Sequence, residues 1–211
     1  KLAGIAYILA VVLGIVVGVV AAVNHGKWVD SALMTISVFG ISAPAFWIAI
    51  ILQIVICLKF NLLPLSGIDS FKSFILPGIA LGTRYAASIA RITRTSMLDV
   101  LSQDYIRTAE AKGLKGWVVT IKHALRNALI PIITIAGSDL GNILTGSVLV
   151  ESVFSIPGIG KMLVDSINTR DLPIVQGGVM YIAVICVIMY LVVDLLYTVV
   201  DPRIRLGKES S

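Results

Sequence analysis

Apolar residues in this chain gather in long blocks rather than recurring at the intervals of a half-buried helix or strand. Five blocks stand out, at residues 2–23, 32–58, 75–98, 128–150 and 174–200. A helix needs roughly 20 predominantly apolar residues to cross a hydrocarbon core. Backbone polar groups in that core must pair internally, which a helix does within one segment. The pattern predicts an all-α membrane protein of about five transmembrane helices, with residues 1–211 forming one domain.

Composition agrees. The 211 residues are 57% hydrophobic and 14% charged, with a mean hydropathy of +0.97; soluble domains carry about 25% charged residues. The net charge of +5 does not imply nucleic acid, because basic residues concentrate on the cytoplasmic side of membrane proteins. Eleven lysines and arginines fall on the side holding the linkers 24–31 and 99–127 and the tail after residue 200; five fall on the other, and Arg84 lies inside the third helix. That bias puts 99–127 and the C-terminus in the cytoplasm, and the loops 59–74 and 151–173 outside. Cys57 and Cys186 sit in apolar blocks and read as packing residues. No metal site is expected, since His25 and His123 have no evident ligand neighbours. The chain starts with Lys1, almost within a helix and without the features of a signal peptide, so an N-terminal part of the full protein is expected to precede it.

Within the blocks, some residues are unlike lipid-facing ones. The first carries Gly14 and Gly18, the spacing that lets two helices approach closely. The second contains Ser42-Ala43-Pro44, and a proline there predicts a kink. On the third, Arg84, Ser88, Arg91 and Thr95 share one face. The fourth reads Ala136-Gly137-Ser138-Asp139-Leu140-Gly141-Asn142, followed by Thr145, Gly146 and Ser147. Asp139 falls near mid-depth, where an ionisable group faces a bundle interior or a cavity; Arg84 is a possible partner. Arg84, Pro44, Asp139 and Asn142 are therefore the candidate pathway residues. The fifth block carries Asp194 and stops at Asp201-Pro202. Before it, Pro157-Gly158-Ile159-Gly160 leads into an amphipathic run that lies at the membrane surface or caps an outer mouth.

The linker 99–127 is much longer than a simple connection between helices. Residues 104–111 are good helix formers ending at Gly113, and a second helical stretch is expected over 116–128, with Lys122 and Arg126 on one face and Val118, Ile121 and Leu125 on the other. This helix–glycine–helix contains no phosphate loop, nucleophile–base pair or ligand cluster. A rigid element without chemistry fits docking to a partner.

The same segment resembles the cytoplasmic loop of binding-protein-dependent ABC importer permeases. That family's general pattern is Glu-Ala-Ala, a glycine, then Ile-x-Leu-Pro; Ala109, Gly113 and Leu125 match it, while Arg107 and Arg126 depart. The departures fit the dipeptide/oligopeptide/nickel subfamily, whose Tyr-Ile-Arg-Thr-Ala-x-Ala-Lys-Gly-Leu and His-Ala-Leu-Arg-Asn-Ala-Leu-Ile-Pro runs are similar to residues 105–114 and 123–131. Residues 94–98, 150–160, 194–197 and 201–203 add further matches, the last pair resembling the B-type permease subunit.

The resemblance implies a type I importer permease core with a cytoplasmic coupling helix in the inner membrane. It implies a second, non-identical permease subunit, two ATPase subunits that hydrolyse ATP elsewhere, and an extracytoplasmic solute-binding protein. No cofactor and no catalytic residue belong to this chain. The ATPase-docking residues it implies are Asp104, Tyr105, Arg107, Thr108, Ala109, Glu110, Ala111, Lys112, Gly113 and Leu114, with Tyr105, Ala109 and Leu114 as packed contacts. Dipeptides or oligopeptides are the expected solutes; a nickel chelate is the alternative within the family. A secondary transporter or channel routed past Asp139 and Arg84 is the alternative outside it, and would show inverted repeats, which the sequence lacks.

Overall fold

The computed structural model describes residues 1–68, 70–145 and 148–200, and of residues 144, 145, 194 and 196–200 the backbone only. The expected helix stop at Asp201-Pro202, the C-terminal basic residues, Gly146, Ser147 and the Asp194 side chain lie outside the described residues. Every regular element among the described residues is helical.

The chain opens with α1 (Leu2–Val23), followed by α2 (Trp28–Ser42) and α3 (Ala45–Leu52), which continues as a π-helical stretch, Gln53–Lys59. A 3-10 turn at Phe71–Phe74 leads into α4 (Ile75–Leu101). The short α5 (Asp104–Ala111) and α6 (Gly116–Val118) come next, then a second π-helical stretch, Val119–Leu125. The chain finishes with α7 (Arg126–Thr145), α8 (Val148–Val153), α9 (Ile159–Asn168) and α10 (Leu172–Val200).

At the centre is α4, packed on by α1, α2, α3 and α7. Its seam with α1 is built from small residues. Ala6, Ala10, Gly14 and Gly18 of α1 are buried. A Cβ on Gly14 would lie 2.7 Å from Cβ of Ile89 and 2.8 Å from the Ala86 carbonyl oxygen, and one on Gly82 would lie 2.8 Å from the Ala6 carbonyl oxygen. Lipid offers no hydrophobic drive between helices, so close backbone approach of this kind supplies the attraction. The Gly14/Gly18 spacing is thus used in full. The outward side of α1 carries exposed Ile8, Val12 and Val16.

Two expectations change. The single span expected at 32–58 is a broken pair: α2 and the Ala45–Lys59 helix meet at 105°. Pro44 forces this, since it lacks an N–H and drives the residue before it out of the helical region; Ala43 sits at φ −77°, ψ 130°. The second helical stretch, 116–128, is not a separate cytoplasmic element. Gly116–Ile143 is one 28-residue helical run, long and apolar enough to cross a membrane. No residue between 125 and 128 breaks the helix, so the stretch forms the first turns of the fourth span, and the separate projection shrinks to α5.

By length and apolar character, Leu2–Val23, Gly116–Ile143 and Leu172–Val193 qualify as spans, and the bent pair makes a fourth. The remaining expected span, α4, is 27 residues long but carries Arg84, Arg91, Arg94 and Asp99. Its buried side packs on its neighbours, while Arg84, Arg91 and Asp99 are exposed on the other and Arg94 is half-buried.

Candidate functional site

Between α2, α4 and α7 lies a cavity of about 400 Å³ lined by Ile41, Arg84, Tyr85, Ser88, Arg91, Asp139 and Asn142. The four-and-three-residue spacing that puts Arg84, Ser88 and Arg91 on one face of α4 aims them into this space; Thr95, the fourth member of that face, does not line it. Three of the four pathway candidates, Arg84, Asp139 and Asn142, therefore meet in one cavity. Pro44 does not reach it, but the bend it makes is three residues from Ile41. Asp139 and Arg84 share the space without an ion pair within 4.0 Å, and Asp139 Oδ2 is buried with no hydrogen-bond partner. Next to Asp139, Gly141 admits the Tyr190 ring of α10: a Cβ there would lie 2.7 Å from the ring carbons.

A second charged cluster lies toward the α5 end of the bundle. Arg94 on α4 grips Asp30 on α2 with two hydrogen bonds, Nε to Oδ1 at 2.6 Å and Nη2 to Oδ2 at 2.7 Å. The Gly26 N–H donates to Asp30 Oδ2 at 3.2 Å, and His25 Nδ1 lies 3.2 Å from the same oxygen. Asp30 is 4% exposed. The cluster ties the α1–α2 turn to α4. The sequence pattern does not flag Asp30, which sits just before an apolar block, and Arg94 reads as close enough to the surface to need no partner. The available signal is an acid in the 24–31 linker and an arginine at the same end of the third helix.

The docking candidates lie on and just after α5. Ile106 and Ala109 point inward, 2% and 6% exposed, in one apolar cluster with Met97, Val119 and Ala124. The helix ends in a Schellman arrangement: the Leu114 N–H donates to the Ala109 carbonyl at 3.4 Å and the Gly113 N–H to the Glu110 carbonyl at 2.8 Å. Gly113 has φ +76°, which glycine adopts freely. Asp104, Tyr105, Arg107, Thr108, Glu110, Ala111, Lys112 and Leu114 are exposed. This revises Ala109, expected as a packed contact with a partner: its methyl is spent seating α5 on its own subunit, because it lies on the same face as Ile106.

At the opposite end, Glu151 is buried and accepts a hydrogen bond from the Lys161 N–H at 3.2 Å, in the first turn of α9. Gly158 and Gly160 crowd its carboxylate so closely that a Cβ on either would collide with it. Gln53 Nε2 donates to the carbonyls of Leu65, at 2.8 Å, and Val153, at 3.1 Å. The run 157–160 and the amphipathic helix after it thus form a folded cap packed on α8 and α10. Among the described residues, no three His, Cys, Asp or Glu side chains converge in a way that could hold a metal.

Residues 14–206 match the family described as binding-protein-dependent transport system inner membrane component. Over 196 residues the chain is 45% identical to the glutathione transport system permease protein GsiC of Escherichia coli (strain K12), covering 93% of this chain and 64% of that protein. Over 205 residues it is 46% identical to the dipeptide transport system permease protein DppB of Bacillus subtilis (strain 168), covering 97% and 67%. The chain thus spans about two thirds of the length of these curated relatives. In fold it is similar to a chain of the inward-facing MetNI methionine ABC transporter, with a TM-score of 0.76, 16% identity and coverage of 95% and 91%. A chain of an amino acid ABC transporter with histidines gives a TM-score of 0.62, 18% identity and coverage of 94% and 89%. This chain is therefore a member of the binding-protein-dependent transport system inner membrane component family.

Proposed function

We propose that this chain is one of two permease subunits of an ATP-driven importer of dipeptides or oligopeptides, and that α5 is its docking element for an ATPase subunit. The observation that carries the docking reading is the division of α5 into two faces. Ile106 and Ala109 fix it to its own bundle, while an exposed, mostly polar face is left over with no intramolecular work. The cluster beneath it joins α4 and the π-helical start of the fourth span, so a force on α5 reaches two of the three helices that line the cavity. ATP hydrolysis belongs to the partner chains. For coupling, the ATPase states must hold α5 in differently placed grooves, since only differential binding shifts an equilibrium. Peptides are favoured because the relatives named above are glutathione and dipeptide permeases, and because the cavity mixes charged and neutral polar groups.

In this arrangement α5 and the C-terminus lie in the cytoplasm, and the cap over residues 151–168 meets the solute-binding protein outside. The test is co-purification of the full-length chain from its native membrane. Two ATPase chains and a second permease accompany the wild-type protein, and Ala111→Glu or Tyr105→Asp, both on the exposed face, sheds the ATPase while keeping the second permease. A chain that purifies alone, indifferent to both substitutions, contradicts the proposal.

A further inference from the structure

The Arg84–Asp139 cavity has a feature that a packing role leaves unexplained. A buried carboxylate oxygen without a hydrogen bond is costly, and bundles of this kind ordinarily pair such a group with the nearest cation. Here the nearest cationic side chain in the same cavity is Arg84, and the two stay more than 4.0 Å apart. Two opposite charges on neighbouring helices, α4 and α7, thus face a shared space and do not neutralise each other.

We infer that this cavity is a transit site for peptides with free termini, Asp139 taking the α-ammonium and Arg84 the α-carboxylate. The inference rests on the importer reading and adds to it what the pathway recognises. A simple cation or anion would engage only Asp139 or only the exposed Arg84, whereas a zwitterion engages both. The volume of about 400 Å³ falls in the range of small-ligand sites, about 300–1,000 Å³. Ser88, Asn142 and Tyr85 add neutral hydrogen-bonding groups where a peptide amide would lie. Termini are common to all peptides, so a site that grips them accepts any side chain, as an importer of mixed peptides requires. Arg91 lies seven residues further along α4, about 10 Å at 1.5 Å per residue, and offers the carboxylate a next foothold toward the α5 end.

The test uses the full-length chain assembled with its partner permease and ATPases in detergent, without the binding protein, whose own selectivity would mask that of the cavity. Saturation-transfer NMR measures binding of the dipeptide Ala-Ala, its N-acetyl form and its C-terminal amide. On the wild-type complex each blocked form binds about tenfold more weakly than the free peptide, the loss of one charge-assisted hydrogen bond. Asp139→Asn makes the complex indifferent to acetylation while it still rejects the amide; Arg84→Gln does the reverse. Equal binding of blocked and free peptides by the wild type, no binding at all, or loss of affinity in both variants without this crossed change in selectivity overturns the inference. ATP-driven uptake of Ala-Ala by the wild-type complex in proteoliposomes, with the binding protein now added, separates the two levels. Uptake without the crossed pattern removes the transit site and leaves the importer reading standing; absence of uptake together with absence of co-purifying partners removes that reading itself.

Discussion

Asp30 is buried and Asp139 half-buried with one oxygen out of solvent, and the protein treats them in opposite ways. Asp30 is held by two arginine hydrogen bonds, a backbone N–H and a histidine. Asp139 keeps one oxygen buried with no partner, facing a cavity in which an arginine stands beyond ion-pair distance. The lesson is that burial alone does not tell a structural acid from a working one. A satisfied acid fixes geometry, and removing its partner damages the fold. An unsatisfied acid is kept at the expense of stability and is available to something that passes.

The largest effect expected from this contrast is at Arg94. Arg94→Met leaves the Asp30 carboxylate buried and uncompensated, and should lower stability by about 3 kcal/mol, read as a large fall in the unfolding temperature in detergent. Adding Asp30→Asn in the same chain should recover most of that loss. Next comes the α1–α4 seam. Gly18→Ala pushes a methyl against Thr93 and the Ala90 carbonyl oxygen and should cost about 2 kcal/mol, visible in the same measurement and as weakened assembly. Asp139→Asn should behave unlike both, with an unfolding temperature equal to or above that of the wild type, because it removes an unsatisfied buried carboxylate, while peptide uptake falls. A loss of stability at Asp139 comparable to that at Arg94 would erase the distinction between the two acids. Smallest is Arg107→Ala. Its 3.7 Å contact with Asp104 joins side chains that are 75% and 98% exposed, and pairs of that kind contribute almost nothing to stability. The unfolding temperature should not move, so any loss of ATPase co-purification in this variant reports on the proposed docking face alone.

The parts of this molecule that depend on local pattern were legible in its sequence. The apolar blocks give the helices, the spacing of Arg84, Ser88 and Arg91 gives the polar face of α4, and Gly113 gives the end of α5. Proline at 44 announces a break, yet its 105° size depends on what α2 and α3 pack against. The continuity of Gly116–Ile143 was hidden for a similar reason: a basic stretch before an apolar block looks like a separate cytoplasmic helix when judged by charge, although nothing in it interrupts the backbone ladder. Long-range pairing was least legible. Arg94 lies 64 residues from Asp30, and Gln53 lies 100 residues from Val153; neither link leaves a mark in any local window. Ala109 shows the limit within a motif. The pattern marks the position, while only the packing beneath α5 shows that its methyl faces inward.

ATP dependence of peptide uptake tests the central claim most directly. The full-length chain is reconstituted in proteoliposomes with the proposed second permease, ATPase subunits and binding protein, and accumulation of labelled Ala-Ala is followed with and without ATP. The account predicts accumulation against a gradient only when ATP, the ATPase subunits and the binding protein are all present, and its loss in Tyr105→Asp. Equilibration or accumulation of the peptide by the chain alone, with no ATP, would contradict it and identify a channel or secondary transporter instead.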